Sequence, residues 1–146
     1  YDYGDASGYT PIMKMYTLGH DFMPPGIHAG GLRYHGDSPL VSQLFHEKQI
    51  DAIAVPQVAT FEAGVQFARA EGLIPAPESC YAIRAAIDEA LRCKATGEEK
   101  TILFCLTGHG HFDMASYDRY FSGKLEDYEY PADAIAESLK HLPKVG

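Results

Sequence analysis

Tryptophan is absent from this 146-residue sequence, and cysteine occurs only three times. Cys80, Cys93 and Cys105 are odd in number and widely spaced, which argues against a disulfide framework and favours reduced thiols in a cytoplasmic protein. An N-terminal secretory signal pattern is also missing. The chain opens at Tyr1 without an initiator methionine, and we expect this start to be internal to a longer polypeptide.

Long apolar runs and basic patches are missing as well. No stretch of eighteen apolar residues occurs, so the sequence predicts no membrane-spanning helix. The formal net charge is -8, whereas a nucleic-acid partner needs a basic face that neutralises phosphates. These absences exclude membrane-spanning and nucleic-acid-binding proteins. The hydrophobic content of 46% is ordinary for a globular domain, and the length suffices for one hydrophobic core.

The apolar patterns predict helices that alternate with two short buried strands. Residues 1–36 have no sustained period and are rich in glycine, proline and aromatic side chains, so an ordered long loop is expected there. The strands are predicted at 52–55 and 101–106, which are continuously apolar. Four helices are predicted. The first has Ser38 as N-cap and Pro39 as its first residue, and the second lies around 61–68 with Gly72 as C-cap. The third begins after Ser79 and ends near Gly97, and the fourth starts at Pro131.

This order of elements implies an α/β fold with a parallel sheet covered by helices. The inward faces are expected to include Leu40 in the first helix, Phe61 and Gly64 in the second, and Ile83 and Leu91 in the third. Two strands do not make an independent parallel sheet. We therefore expect this stretch of chain to complete a larger sheet.

The segment Thr107-Gly-His-Gly110 directly follows the second predicted strand. In open α/β sheets, ligands bind at the carboxyl ends of the strands. A hydroxyl at Thr107 could exchange a hydrogen bond with a ligand heteroatom, and Gly108 lets a flat ring approach the backbone. The same residues also suit an ordinary glycine-rich turn.

Three further features leave a functional and a structural interpretation open. His109 and His111 could share a metal ion, but no CxxC or HExxH motif accompanies them. Glu78 is presented at a helix start, where the helix dipole by itself favours a carboxylate. In the early loop, the segment His20-Asp21 and His28 could serve catalysis, although surface positions are favoured.

Several uncommon strings in this chain resemble the tryptophan synthase β family, and more specifically its divergent type 2 branch. The resemblance covers essentially all 146 residues. The strings are Tyr16-Thr-Leu-Gly-His-Asp-Phe22, Gly26-Ile-His-Ala-Gly-Gly-Leu-Arg-Tyr-His-Gly36, Phe61-Glu-Ala-Gly64, Glu71-Gly-Leu-Ile-Pro-Ala-Pro-Glu-Ser79 and Thr107-Gly-His-Gly110.

This resemblance implies the type II fold of pyridoxal-phosphate enzymes, with residues 1–146 as the C-terminal segment of the large cofactor-binding domain. It implies a lyase of tryptophan biosynthesis that joins L-serine and indole by β-elimination and β-replacement on pyridoxal 5'-phosphate. The implied partners are the remainder of the same polypeptide and, for the parent, a second copy in a homodimer. A monovalent-cation site near Phe22 is implied as well.

The resemblance also assigns roles to four residues. Thr107 stands where the family has a serine whose hydroxyl meets the pyridine nitrogen, and Gly108 is the backbone next to the ring. Glu78 matches a glutamate close to the cofactor, and Asp21 matches a catalytic loop aspartate that contacts the substrate. His109 stands where the principal branch has arginine, and no role is carried over to it.

The cofactor-binding lysine, the catalytic glutamate that follows it and the glycine-rich phosphate loop of the family lie N-terminal to the matching segment. None of the lysines here is in the matching context, so the segment alone is expected to be inactive. The alternatives are another pyridoxal-phosphate enzyme that eliminates from serine or O-phosphoserine, a non-catalytic structural fragment, and a small His/Asp metal enzyme.

Overall fold

The computed structural model describes residues 1–145, which divide into two compact units. Unit 1 consists of Tyr1–Gly26, Arg33–Ala54 and the residues from Glu129 onward, and unit 2 consists of Ile27–Leu32 and Val55–Tyr128. Each unit is therefore assembled from stretches that are far apart in sequence. No helix among the described residues is long and apolar enough to cross a membrane.

Unit 1 contains a short hairpin and two helices. Strand β1 (Asp2–Tyr3) pairs antiparallel with β2 (Ile12–Met13), and helices α1 (Pro39–His46) and α5 (Ala132–Ser138) follow later in the chain. The prediction for α1 is confirmed, because Ser38 is its N-cap and proline is its first residue. Pro131 precedes α5 as predicted, and a 3-10 turn at Leu139–His141 extends that helix.

A fully buried carboxylate connects the loops of unit 1. The hydroxyl of Thr17 donates to Asp2 Oδ2 at 2.6 Å, and His20 Nδ1 lies 2.7 Å from Asp2 Oδ1. His35 Nε2 lies 2.8 Å from the carbonyl oxygen of the adjacent Tyr3. Burial raises the pKa of Asp2, but the hydrogen bonds from Thr17 and His20 outweigh it and keep the pKa below its ordinary value of 3.8. The carboxylate is therefore ionised at neutral pH and fixes these segments to one another.

Unit 2 is built on helices α2 (Gln57–Glu71), α3 (Pro77–Thr96) and α4 (Met114–Phe121). Phe61 of α2 is the centre of its core, and its ring meets the ring of Tyr117 edge-on at a centroid distance of 5.1 Å. Gly64 lets α2 approach α3, since a Cβ there would lie 2.5 Å from Cys80 Sγ. Gly72 is the C-cap of α2 as predicted, and α3, which was predicted to end near Gly97, has Gly97 as its C-cap; their φ values are +72° and +71°.

The two predicted strands are not observed among residues 1–145. Neither residues 52–55 nor residues 101–106 form a strand, and Ile53 is 71% and Leu103 is 95% exposed. A strand requires a hydrogen-bonded neighbour, which residues 1–145 do not supply to either segment. Within this range the sheet is the antiparallel β1–β2 pair, so the expected parallel sheet is not present in it.

Some details of the helices also differ from the sequence-based expectation. Helix α3 begins at Pro77, so Ser79 lies inside its first turn and is not its cap. Leu40 and Leu91 were expected to face inward but are 78% and 55% exposed, because no described residue covers these positions. Helix α4 was not predicted; it is short, and its position depends on burial of Tyr117 in the core of unit 2.

Candidate functional site

A buried serine from the first turn of α3 holds the backbone of Thr107. Ser79 is 2% exposed, and its Oγ accepts a hydrogen bond from the Thr107 N–H at 3.0 Å and donates one to the Thr107 carbonyl oxygen. The two hydroxyl oxygens lie 3.3 Å apart. Thr107 itself is exposed. A neutral hydroxyl therefore stands at the surface of unit 2 on backbone that is fixed from the buried side.

The loop after Thr107 is fixed to the connector between α2 and α3. Pro75 and His109 form an isolated antiparallel bridge, and the amide of Gly110 donates to the Ile74 carbonyl oxygen at 2.8 Å. Gly108 has a φ of +68°, a left-handed value that favours glycine. The backbone conformation alone therefore favours glycine at position 108, whether or not a ligand binds there.

Glu78 lies beside Ser79 in the first turn of α3, where the helix dipole favours a carboxylate. Its Oε1 accepts a hydrogen bond from the amide of Gly31 at 2.9 Å. A Cβ at Gly31 would lie 3.3 Å from that oxygen, so a side chain there would require the end of Glu78 to shift slightly. Glu78 therefore fastens a segment of the early loop to α3 within unit 2.

A pocket of about 200 Å³ opens beside Gly108 and is lined by Pro75, Leu106 and the two histidines of the loop, among others. The His111 N–H donates to His109 Nδ1 at 3.3 Å, and the ring centroids are 4.9 Å apart. Within residues 1–145, no group of three or more His, Cys, Asp or Glu side chains is arranged to hold a metal ion. The contact between the two histidines is a local hydrogen bond at the start of the 3-10 turn Gly110–Phe112.

Asp21 is exposed on a turn of unit 1, whereas Thr107, Gly108 and Glu78 belong to unit 2. Its carboxylate accepts a hydrogen bond from the Ser138 hydroxyl and pairs with Nδ1 of His141. These contacts, that of Ser138 first, lower the pKa of Asp21 to about 2. The side chain is therefore ionised at neutral pH and available as a hydrogen-bond acceptor.

The sequence did not reveal the partners of these site residues. Ser79 is 28 residues from Thr107, and Ser138 is 117 residues from Asp21, so no local pattern links either pair. The only signal at Ser79 was its position near a predicted helix start, which does not point to a contact with Thr107.

The histidines of the early loop are more buried than expected. His20 contacts the carboxylate of Asp2, and Nδ1 of His28 lies 3.0 Å from the Ser116 hydroxyl oxygen. Burial, followed by the charge of Arg119, lowers the pKa of His28. Both side chains have contacts that stabilise the fold of their own units.

Curated relatives are similar to most of this chain. Tryptophan synthase beta chain 2 of Aquifex aeolicus is 65% identical over 127 residues, which make up 87% of the chain and 29% of the relative. The protein of the same name from Methanosarcina acetivorans is 66% identical over 125 residues, or 86% of the chain and 28% of the relative. The tryptophan synthase beta chain of Pyrococcus horikoshii is 57% identical over 129 residues, or 88% of the chain and 28% of the relative.

No protein-family model matches the chain. The chain spans less than a third of the length of the curated relatives that it matches. Their high identity agrees with the resemblance that the motifs around Asp21, Glu78 and Thr107 indicated. The chain therefore matches a C-terminal portion of the tryptophan synthase β chain family, in its type 2 branch.

Proposed function

We propose that the chain is part of a pyridoxal-phosphate-dependent tryptophan synthase β enzyme, which converts L-serine and indole into L-tryptophan and water. The 65% identity over 127 residues to the Aquifex aeolicus protein carries this proposal. The bound cofactor supplies an electron sink that makes loss of the serine hydroxyl and addition of the indole carbon feasible. The residues of this chain contribute position and charge.

The surroundings of Thr107 are compatible with one edge of a flat heterocyclic ring. Its hydroxyl is neutral, exposed and carried on fixed backbone, so it can form a hydrogen bond with a ring nitrogen. Because a hydroxyl, unlike a carboxylate, does not stabilise a protonated nitrogen by charge, the ring is kept a moderate electron sink, which favours elimination over transamination. We assign Thr107, Gly108 and Glu78 to cofactor binding.

Asp21 is the catalytic residue that we assign to the substrate. Its pKa of about 2, set by the hydrogen bonds of Ser138 and His141, keeps the carboxylate ionised over the working pH range of most enzymes. An ionised carboxylate accepts a hydrogen bond from the serine hydroxyl and orients it. A carboxylate that is ionised at neutral pH has no proton to donate. We therefore propose that Asp21 positions the hydroxyl leaving group of serine and does not protonate it.

Other parts of the enzyme would come from polypeptide beyond residues 1–146. We propose that this polypeptide supplies the cofactor-binding lysine, the phosphate-binding loop and the parallel sheet that segment 101–106 joins. Leu103, at 95% exposure, and Ile53, at 71%, support this assignment because apolar side chains in extended segments are normally covered. We also propose that the full-length enzyme is a cytoplasmic homodimer and that it binds a monovalent cation near Phe22.

A turnover assay of the full-length protein encoded by the gene tests this function. With pyridoxal phosphate, L-serine and indole, tryptophan should form; formation from O-phosphoserine but not from serine would instead support the rival substrate. Thr107→Val should lower the rate at least about tenfold because it removes the hydroxyl and keeps the shape. Thr107→Ser is the matched control and should stay within about threefold of the parent, since it keeps the hydrogen-bonding group.

The 146-residue chain by itself provides a second test. We expect borohydride reduction with pyridoxal phosphate to leave no stoichiometric adduct on this chain, as measured by intact mass. A stoichiometric adduct at a single lysine would contradict the assignment of the cofactor-binding lysine to other polypeptide.

A further inference from the structure

We propose that Ser79 is a positioning residue for the cofactor, acting through Thr107. It fixes the backbone of Thr107 and orients the hydroxyl that meets the ring nitrogen. This inference rests on the proposed function and extends it to a residue that does not itself reach the ligand. Three contacts support it: Ser79 Oγ accepts from the Thr107 amide, donates to the Thr107 carbonyl oxygen and lies 3.3 Å from Thr107 Oγ1.

The location of Ser79 makes it a rigid support. It is the third residue of α3 and 2% exposed, and the next residue, Cys80, is completely buried against α2. Its hydroxyl does not cap the helix, because Ala76 is the N-cap and no side chain bonds the free amides there. The hydroxyl of Ser79 is thus committed to Thr107, and the stretch 101–106 that precedes Thr107 has no strand neighbour among the described residues.

The hydroxyl protons of Ser79 and Thr107 are arranged so that Thr107 is free to bind a ligand. Ser79 has a single hydroxyl proton, which goes to the Thr107 carbonyl oxygen, and it accepts the Thr107 N–H with one lone pair. A hydrogen bond between the two hydroxyls therefore uses the proton of Thr107. When that proton turns to a ring nitrogen, Ser79 keeps both backbone partners. No buried polar group loses its hydrogen bonds, so the change costs little.

A double-mutant cycle in the full-length protein tests this coupling. The variants are Ser79→Ala, Thr107→Val and their combination, and the dissociation constant of pyridoxal phosphate is measured by titration of the apoprotein. Ser79→Ala should weaken binding about tenfold when Thr107 is present and less than about threefold when valine replaces it. The absorption maximum of the bound cofactor should shift in the same direction in both single variants.

Two further variants separate positioning from a general loss of packing. Ser42→Ala also removes a buried hydroxyl, one that accepts from the Tyr16 amide at 3.1 Å in unit 1, and it should change neither the dissociation constant nor the spectrum. Ser79→Cys keeps the shape of the side chain with a somewhat larger sulfur that forms weaker hydrogen bonds, and it should give an intermediate dissociation constant, which covers the case in which Ser79→Ala does not fold.

Hydrogen exchange of the Thr107 amide tests, in the absence of cofactor, whether Ser79 fixes the backbone of Thr107. Exchange there should accelerate about tenfold in Ser79→Ala and stay unchanged in Ser42→Ala. Equal losses of affinity from Ser79→Ala with threonine or valine at position 107, or an unshifted spectrum, would overturn the inference while leaving the proposed function intact. Failure of the parent protein itself to bind the cofactor would overturn both.

Discussion

Replacing Gly110 by alanine should destabilise unit 2, because the site has no room for a methyl group. A Cβ at this position would lie 2.5 Å from the Pro75 carbonyl oxygen, 2.7 Å from Ile74 Cγ2 and 3.0 Å from Tyr117 Cε2. The nearest of these atoms belongs to backbone, which does not rotate away. Overpacking of this kind lowers the free energy of unfolding by about 3 kcal/mol. Alanine also reduces the conformational entropy of the unfolded chain, which offsets about 1 kcal/mol of that loss. We therefore expect a net loss of about 2 kcal/mol.

Native-state amide hydrogen exchange of the full-length protein measures this loss locally, as the opening free energy of amides in α3 and α4. The matched control is Gly30→Ala, because position 30 has no left-handed φ and nothing within 4 Å of an added Cβ. Opening free energies for Gly110→Ala within about 0.5 kcal/mol of the Gly30→Ala values would refute the packing described here.

Three other predictions concern single side chains. Tyr117→Phe should lower the opening free energy of unit 2 by about 1–2 kcal/mol, because a hydroxyl that donates to the connector carbonyl at 2.7 Å is lost; an unchanged value would contradict that bond. The carboxyl of Asp21, followed by carbon NMR, should titrate near pH 2 and move toward 3.8 in Ser138→Ala; its contact with Ser138 is present above pH 3.8 and is lost as the pH falls through about 2. In the 146-residue chain, iodoacetamide should modify exposed Cys105 at least about tenfold faster than Cys80, since burial raises the pKa of the Cys80 thiol; equal rates would show that α3 is not packed.

Helices with local start and stop signals were predictable from the sequence. Ser38-Pro39 marks the beginning of α1, and Gly72 and Gly97 end α2 and α3, because proline and glycine act on the backbone at their own positions. The segment 101–106 shows the opposite case. Its apolar run indicates a strand, but strand formation depends on neighbours that lie elsewhere in sequence.

The candidate site shows the same division. Glycine and proline residues next to Thr107, Gly108 and Glu78 made it possible to predict from the sequence that these residues lie at the ends of secondary-structure elements. The family resemblance assigned their roles. The contacts that hold these residues could not be predicted from the sequence. The Gly31 amide that binds Glu78 is 47 residues away from it, and Ser79 is 28 residues from Thr107. Such pairs follow from tertiary packing and leave no period in the sequence.

The buried carboxylate of Asp2 has a practical consequence for where the chain can be trimmed. The residue is second in the sequence, yet Thr17 and His20 both rely on it as a hydrogen-bond partner. Removing the first three residues would leave these polar groups without that partner and would remove one of the contacts that hold the loop before Asp21. If residues 1–146 are excised from the full-length protein, an affinity tag should therefore be placed ahead of Tyr1, which is 56% exposed, so that residues 2 and 3 are kept.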